Sequence, residues 1–180
     1  MKSGFATLVG RPNVGKSTLL NAIIGTKVSI TSRVAQTTRT QVRGILNRPG
    51  AQVVFVDTPG IHKPRTLLGE RLNDTAEGAL EGVDLTVLVV DATAPVGPGD
   101  RYIAAKVPPG PVCVVNKIDA APRAAVLRQL QAISSVVEDG EFFPVSAITG
   151  HGVRELSAAI IERMPAVSYT HLTLPTTERV

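Results

Sequence analysis

The residues Gly10-Arg11-Pro12-Asn13-Val14-Gly15-Lys16-Ser17 follow the apolar run Phe5 to Val9 and precede a helical pattern from Thr18 to Ile24. A strand that ends in G-x-x-x-x-G-K-S and opens into a helix constrains the fold more than any other stretch here, because it fixes a β-loop-α unit wrapped around an anion. Its two glycines let successive backbone N–H groups turn inward where a side chain would block the approach. Lys16 is then placed to reach the β- and γ-phosphates of a nucleotide, and the Ser17 hydroxyl to ligate Mg²⁺. The helix starting near Lys16 points its positive dipole end at the same anion. The expectation is a nucleoside triphosphate site.

Short apolar runs alternate with helix-length segments along the rest of the chain. Phe5 to Val9, Val42 to Leu46, Gln52 to Val56, Asp84 to Val90, Val112 to Val115 and Phe142 to Val145 read as strands. Helices are predicted at about Lys16 to Gly25, Leu67 to Leu80, Asp100 to Ala105, Arg123 to Val137 and Val153 to Arg163. The order predicts an α/β fold: a six-stranded, mostly parallel sheet with helices on both faces and ligands at the carboxyl ends of its strands. One junction departs from the alternation. Val42 to Leu46 and Gln52 to Val56 are joined only by a turn containing Asn47, Pro49 and Gly50, so they should form a hairpin and make one edge strand antiparallel. With no Trp, two Tyr and four Phe, the core must be built from Val, Ile, Leu and Ala, which suits such a sheet.

Two further motifs fall at strand tips. Asp57-Thr58-Pro59-Gly60 follow Val53 to Val56. In a nucleotide switch, an Asp in this place orders a Mg²⁺-bound water and a Gly three residues on offers its N–H to the γ-phosphate. Asn116-Lys117-Ile118-Asp119 follow Val112 to Val115. A fixed carboxylate at Asp119 can accept from both N1–H and the 2-amino group of guanine, and adenine would leave it unpaired, so the motif selects guanine. Asn116 and Lys117 would hold the neighbouring loop and cover the base. The last strand delivers Ser146-Ala147-Ile148, whose backbone can place an N–H near the guanine O6. Between the first helix and the hairpin lies Gln36-Thr37-Thr38-Arg39, where a threonine, Thr38 in preference to Thr37, would ligate Mg²⁺ and meet the γ-phosphate.

These motifs in this order resemble the translation-factor-related GTPases, and over residues 1 to about 165 the TrmE-Era-EngA type, the Era family in particular. The stretch Asp57-Thr58-Pro59-Gly60-Ile61-His62-Lys63-Pro64, with Leu68-Gly69 after it, carries the closer resemblance. The resemblance implies a GTP-hydrolysing, Mg²⁺-dependent switch in which Lys16, Thr38, Asp57 and Gly60 act on the phosphates. Residues 10–17, 57–61, 116–119 and 146–147 would line the nucleotide site. It also implies hydrolysis without a water-orienting Gln, since Ile61 stands after the switch glycine, and a K⁺ ion held beside the phosphates by Asn13. Arg39 and His62 are expected to meet solvent or a partner rather than the chemistry, and His151 and His171 have no metal-ligand spacing. A non-hydrolysing, GTP-dependent docking module and a related tRNA-modification or ribosome-assembly GTPase are the alternatives.

The resemblance further implies a GTPase domain followed by a KH-type RNA-binding domain, and a role in assembly of the small (30S) ribosomal subunit through 16S ribosomal RNA. In this chain only fifteen residues follow Pro165, without a Gly-x-x-Gly loop. The expectation is a domain over 1–166, with 167–180 a disordered tail foreign to it. The single cysteine, Cys113, lies in an apolar run, and the net charge of +4 is scattered rather than gathered in a patch. With no signal-like start and no spanning stretch, the expectation is a cytoplasmic protein with at most peripheral membrane contact, and a monomer.

Overall fold

The structure, a computed structural model, describes residues 1–25, 42–57, 80 and 82–167. Within them six strands form one sheet: β1 (Lys2–Val9), β2 (Val42–Arg48), β3 (Ala51–Val56), β4 (Leu85–Asp91), β5 (Val112–Asn116) and β6 (Glu141–Pro144). The spatial order is β2-β3-β1-β4-β5-β6. Only the β2–β3 pair in this sheet is antiparallel; every other neighbour runs parallel. The hairpin predicted from its short turn is there, at the sheet edge, closed by Pro49 and Gly50, and Gly50 has the positive φ of 74° that the turn requires.

Among the described residues four helices flank the sheet: α1 (Lys16–Ile24), α2 (Pro98–Ala104), α3 (Arg123–Ser134) and α4 (Val153–Glu162). They divide between two cores. Leu19 and Ile23 of α1 and Leu156 and Ile160 of α4 pack with Ala6, Val53, Phe55, Val87, Val89, Val112 and Val114. On the opposite face Ile103 of α2 and Val126 and Ile133 of α3 pack with Val9, Leu88, Val90, Cys113 and Val115. Alternate residues of β4 and β5 thus supply both cores, which is why these central strands read as unbroken apolar runs. Burial in the second core pushes the Cys113 thiol up to about 12, so the group stays a small neutral hydrophobe.

Element ends differ from the sequence reading for local reasons. Strand β1 begins at Lys2 rather than Phe5, because its first residues find partners: Lys2, Ser3 and Gly4 lie in parallel register with Ala51, Gln52 and Val53 of β3, and Ser3 N–H donates to Pro165 O at 3.1 Å. Gly4 is needed there, since a Cβ would stand 2.6 Å from Asp84 Oδ2. Helix α2 begins at Pro98, two residues early, with proline at a position whose N–H needs no partner and Asp100 Oδ2 accepting from Gly97 N–H at 2.9 Å. Helix α3 stops at Ser134, three residues short of the expectation at Val137. The predicted helix Leu67 to Leu80 lies outside the described residues except for Leu80, which is buried in the second core.

Candidate functional site

The loop between β1 and α1 folds as its glycines demand. Gly15 has φ 94° and is packed so closely that a Cβ would lie 2.4 Å from Asn116 Nδ2, and a Cβ on Gly10 would lie 2.4 Å from Val89 O. Asn13 adopts φ 66°, a left-handed conformation unusual for a residue with a side chain. Lys16 Nζ donates to Gly10 O and Arg11 O, each at 2.7 Å, so the ammonium is folded against the carbonyls of its own loop. Burial lowers its pKa, and the negative charge of the Asp57 carboxylate opposes that shift. The Val14 side chain anchors the loop in the first core.

The strand tips bring the base-recognition residues to the same end of the sheet. Asn116, 1 % exposed, donates from Nδ2 to Val14 O at 3.0 Å and accepts from Ala147 N–H at Oδ1 at 3.1 Å. One buried amide therefore ties the phosphate loop to the loop after β6. Ser146 Oγ donates to Asp119 Oδ1 at 2.6 Å and accepts from Thr149 N–H at 3.1 Å, which fixes both the carboxylate and the loop bearing Ala147. Ile118 N–H donates to Val145 O at 3.2 Å. Lys117, at φ 68°, sends its ammonium to Asn13 O and to Asp91 Oδ2, each at 2.6 Å. Asn116 and Lys117 thus both bond the phosphate loop, at Val14 O and Asn13 O.

Ser17 stands in the first turn of α1 and Asp57 directly beyond β3. A hydroxyl and a carboxylate are the hard oxygen donors that suit Mg²⁺, and the two follow the ends of β1 and β3, which are adjacent and parallel, so this donor set fits the ion. Asp57 is ion-paired with Arg43, which sits at the register shift between Val42 and Gly44 that bulges β2. Thr38, Thr58, Pro59, Gly60 and Ile61 lie outside the described residues, as do Arg39, His62 and His171. Among the described residues no group of three or more His, Cys, Asp or Glu side chains is placed to hold a metal.

Three site residues have no counterpart in the sequence reading: Arg43, Asp91 and Asp100. Asp100, 3 % exposed, faces Arg11 of the phosphate loop, with Arg11 Nε 3.3 Å from Asp100 Oδ1 but not aligned for a hydrogen bond. Asp91 ends β4 directly opposite Asn116 of β5. A polar residue at the tip of a buried strand, next to another such strand tip, was the available signal for Asp91.

Compared with known proteins, residues 5–117 match the family described as 50S ribosome-binding GTPase. The chain is 48% identical over 170 residues to GTPase Era of Mycobacterium sp. (strain KMS), covering 91% of this chain and 57% of that protein. It thus spans a little over half the length of the curated relatives it matches. A solved structure of an Aquifex aeolicus Era variant bound to GDP and AlF4⁻ superposes with a TM-score of 0.72 at 38% identity, over 93% of this chain and 59% of that one. Era in complex with MgGDPNP and nucleotides 1506–1542 of 16S ribosomal RNA gives 0.74 at 38% identity, over 97% of this chain and 63% of that one.

Proposed function

The chain belongs to the family described as 50S ribosome-binding GTPase, and from that premise we propose that it is a GTP-binding and GTP-hydrolysing molecular switch of the Era type. The observation that carries the reading is the Asn116 amide, which joins the phosphate loop at Val14 O to the loop of Ala147, beside an Asp119 already oriented by Ser146. A phosphate cradle and a guanine-selective carboxylate are held in one rigid frame, as a ligand with a base at one end and phosphates at the other requires.

In this reading the phosphates replace the loop carbonyls as partners of Lys16. Their negative charge offsets the burial that lowers its pKa, so the ammonium stays charged where charge develops in the transition state. Ser17 and Asp57, the latter through water, would hold Mg²⁺, joined by Thr38. Bound there, Mg²⁺ would neutralise charge on the β- and γ-phosphate oxygens. The Gly60 N–H would meet the γ-phosphate, and Ile61, an alkyl side chain, cannot orient water, so positioning falls to backbone, an ion or a partner. Asn13, exposed in the loop, would supply an oxygen to K⁺.

Nucleotide state would then control docking on RNA. One relative is known bound to nucleotides of 16S ribosomal RNA, and we extend to this chain, as part of a longer protein, a role in small-subunit assembly. Peripheral contact with a membrane surface belongs to the same proposal; among the described residues no helix is long and apolar enough to cross one. Competition binding with fluorescent GDP tests the site: GTP and GDP should displace it at least about 100-fold better than ATP. Equal displacement by ATP would overturn the guanine assignment.

A further inference from the structure

Lys117 is held at both ends of a bridge that nucleotide recognition alone does not require. Its ammonium donates at 2.6 Å to Asn13 O in the phosphate loop and at 2.6 Å to Asp91 Oδ2 at the tip of β4. The Asp91 carboxylate is itself fixed, since Oδ1 accepts from both Thr93 N–H at 2.8 Å and Thr93 Oγ1 at 2.6 Å. The parallel register sets Asp91 opposite Asn116, and Ala92 N–H donates to Asn116 O at 2.8 Å, so acid and lysine are carried on adjoining strand ends.

A lysine side chain is costly to order, and one neutral carbonyl is a weak anchor for it. A charge-assisted bond to a pre-oriented carboxylate is about twice as strong as a neutral one. It leaves the ammonium two acceptors here and a third proton for a ligand. The two backbone turns so joined, at Asn13 with φ 66° and Lys117 with φ 68°, are both left-handed and strained for residues with side chains. A clasp between them keeps each from relaxing, and so keeps the loop amides turned inward.

We infer that Asp91 is a positioning residue for nucleotide binding: its carboxylate holds Lys117 against the Asn13 carbonyl, clasping the base-recognition strand to the phosphate loop and slowing nucleotide release. The inference rests on the guanine-nucleotide reading for its kinetic consequence, while the clasp exists without ligand and is testable on its own.

The variant is Asp91→Asn, which keeps shape and removes charge. Release of N-methylanthraniloyl-GDP, followed by stopped-flow fluorescence, is expected to be roughly tenfold faster than from the parent chain, the loss of one charge-assisted bond. In a Lys117→Met background the same change should alter release less than about twofold, because the acid acts through the lysine. Thr93→Val, which removes one support of the carboxylate and spares its charge, should speed release about threefold. Unchanged release in Asp91→Asn, or additive effects in the cycle, would overturn the inference. Hydrogen exchange in the nucleotide-free chain separates the two readings. Asp91→Asn should speed exchange in peptides covering Gly10 to Ser17 and leave β6 and α4 unchanged. If the parent chain binds no guanine nucleotide, the functional reading fails, and unchanged exchange in those peptides would overturn the clasp independently.

Discussion

Gly15 shows how little freedom the site has at the level of single residues. Its φ of 94° and the 2.4 Å that would separate an added Cβ from Asn116 Nδ2 leave no room for alanine. Gly15→Ala is expected to cost about 1–3 kcal/mol of stability in urea unfolding and to abolish guanine-nucleotide binding, because the added methyl displaces the amide that ties the two loops together. Asp119→Asn changes specificity rather than structure. An amide can donate to the C2 carbonyl of xanthine and cannot accept both guanine donors, so GDP binding should weaken and xanthosine diphosphate binding strengthen, read in the same displacement assay. Asp91 has a pH signature. Burial raises its pKa, but the bonds from Lys117 and Thr93 outweigh that and hold the carboxyl below its ordinary value of 3.8. A depressed folded-state pKa contributes stability that is present above 3.8 and is lost as pH falls through the folded value. Asp91→Asn should therefore flatten the acid limb of stability against pH, measured by urea unfolding from pH 5 downward.

At the scale of elements, the central strands were legible because burial on two faces leaves β4 without a polar residue between Thr86 and Asp91. The run of Val87, Val89, Val90, Val112, Val114 and Val115 admits no helical stripe. Strand ends were less legible, since Lys2 and Ser3 join β1 through register with Ala51 and Gln52 of β3 and are bonded on the other side by Ala166 and Pro165. The site divides the same way. Its contiguous motifs, 10–17 and 116–119 with Ser146 and Ala147, could be read from spacing, because a tight turn keeps its residues together in sequence. Arg43 with Asp57, Asp91 with Lys117 and Arg11 with Asp100 could not, because each pair is brought together only by strand register or helix packing. Two changes test the elements. Leu156→Ala empties a fully buried position between α4 and the sheet and should cost about 2–5 kcal/mol in urea unfolding. Asp100→Ala leaves the Gly97 N–H without its acceptor and Arg11 without its ion partner, and should cost about 1–3 kcal/mol.

For the molecule as a whole, we propose that one end of the sheet carries a phosphate cradle and a guanine reader that together turn GTP over. The decisive assay is phosphate release from GTP by the 180-residue chain in Mg²⁺, in matched potassium and sodium buffers, with ATP and Lys16→Ala as controls. Slow release from GTP is expected, with none above background from ATP and a loss with Lys16→Ala of at least about 100-fold. Turnover should also be faster in potassium, and Asn13→Ala should make it insensitive to the cation. Tight GTP binding without phosphate release in either salt would contradict the hydrolytic switch and leave a nucleotide-dependent docking module in its place.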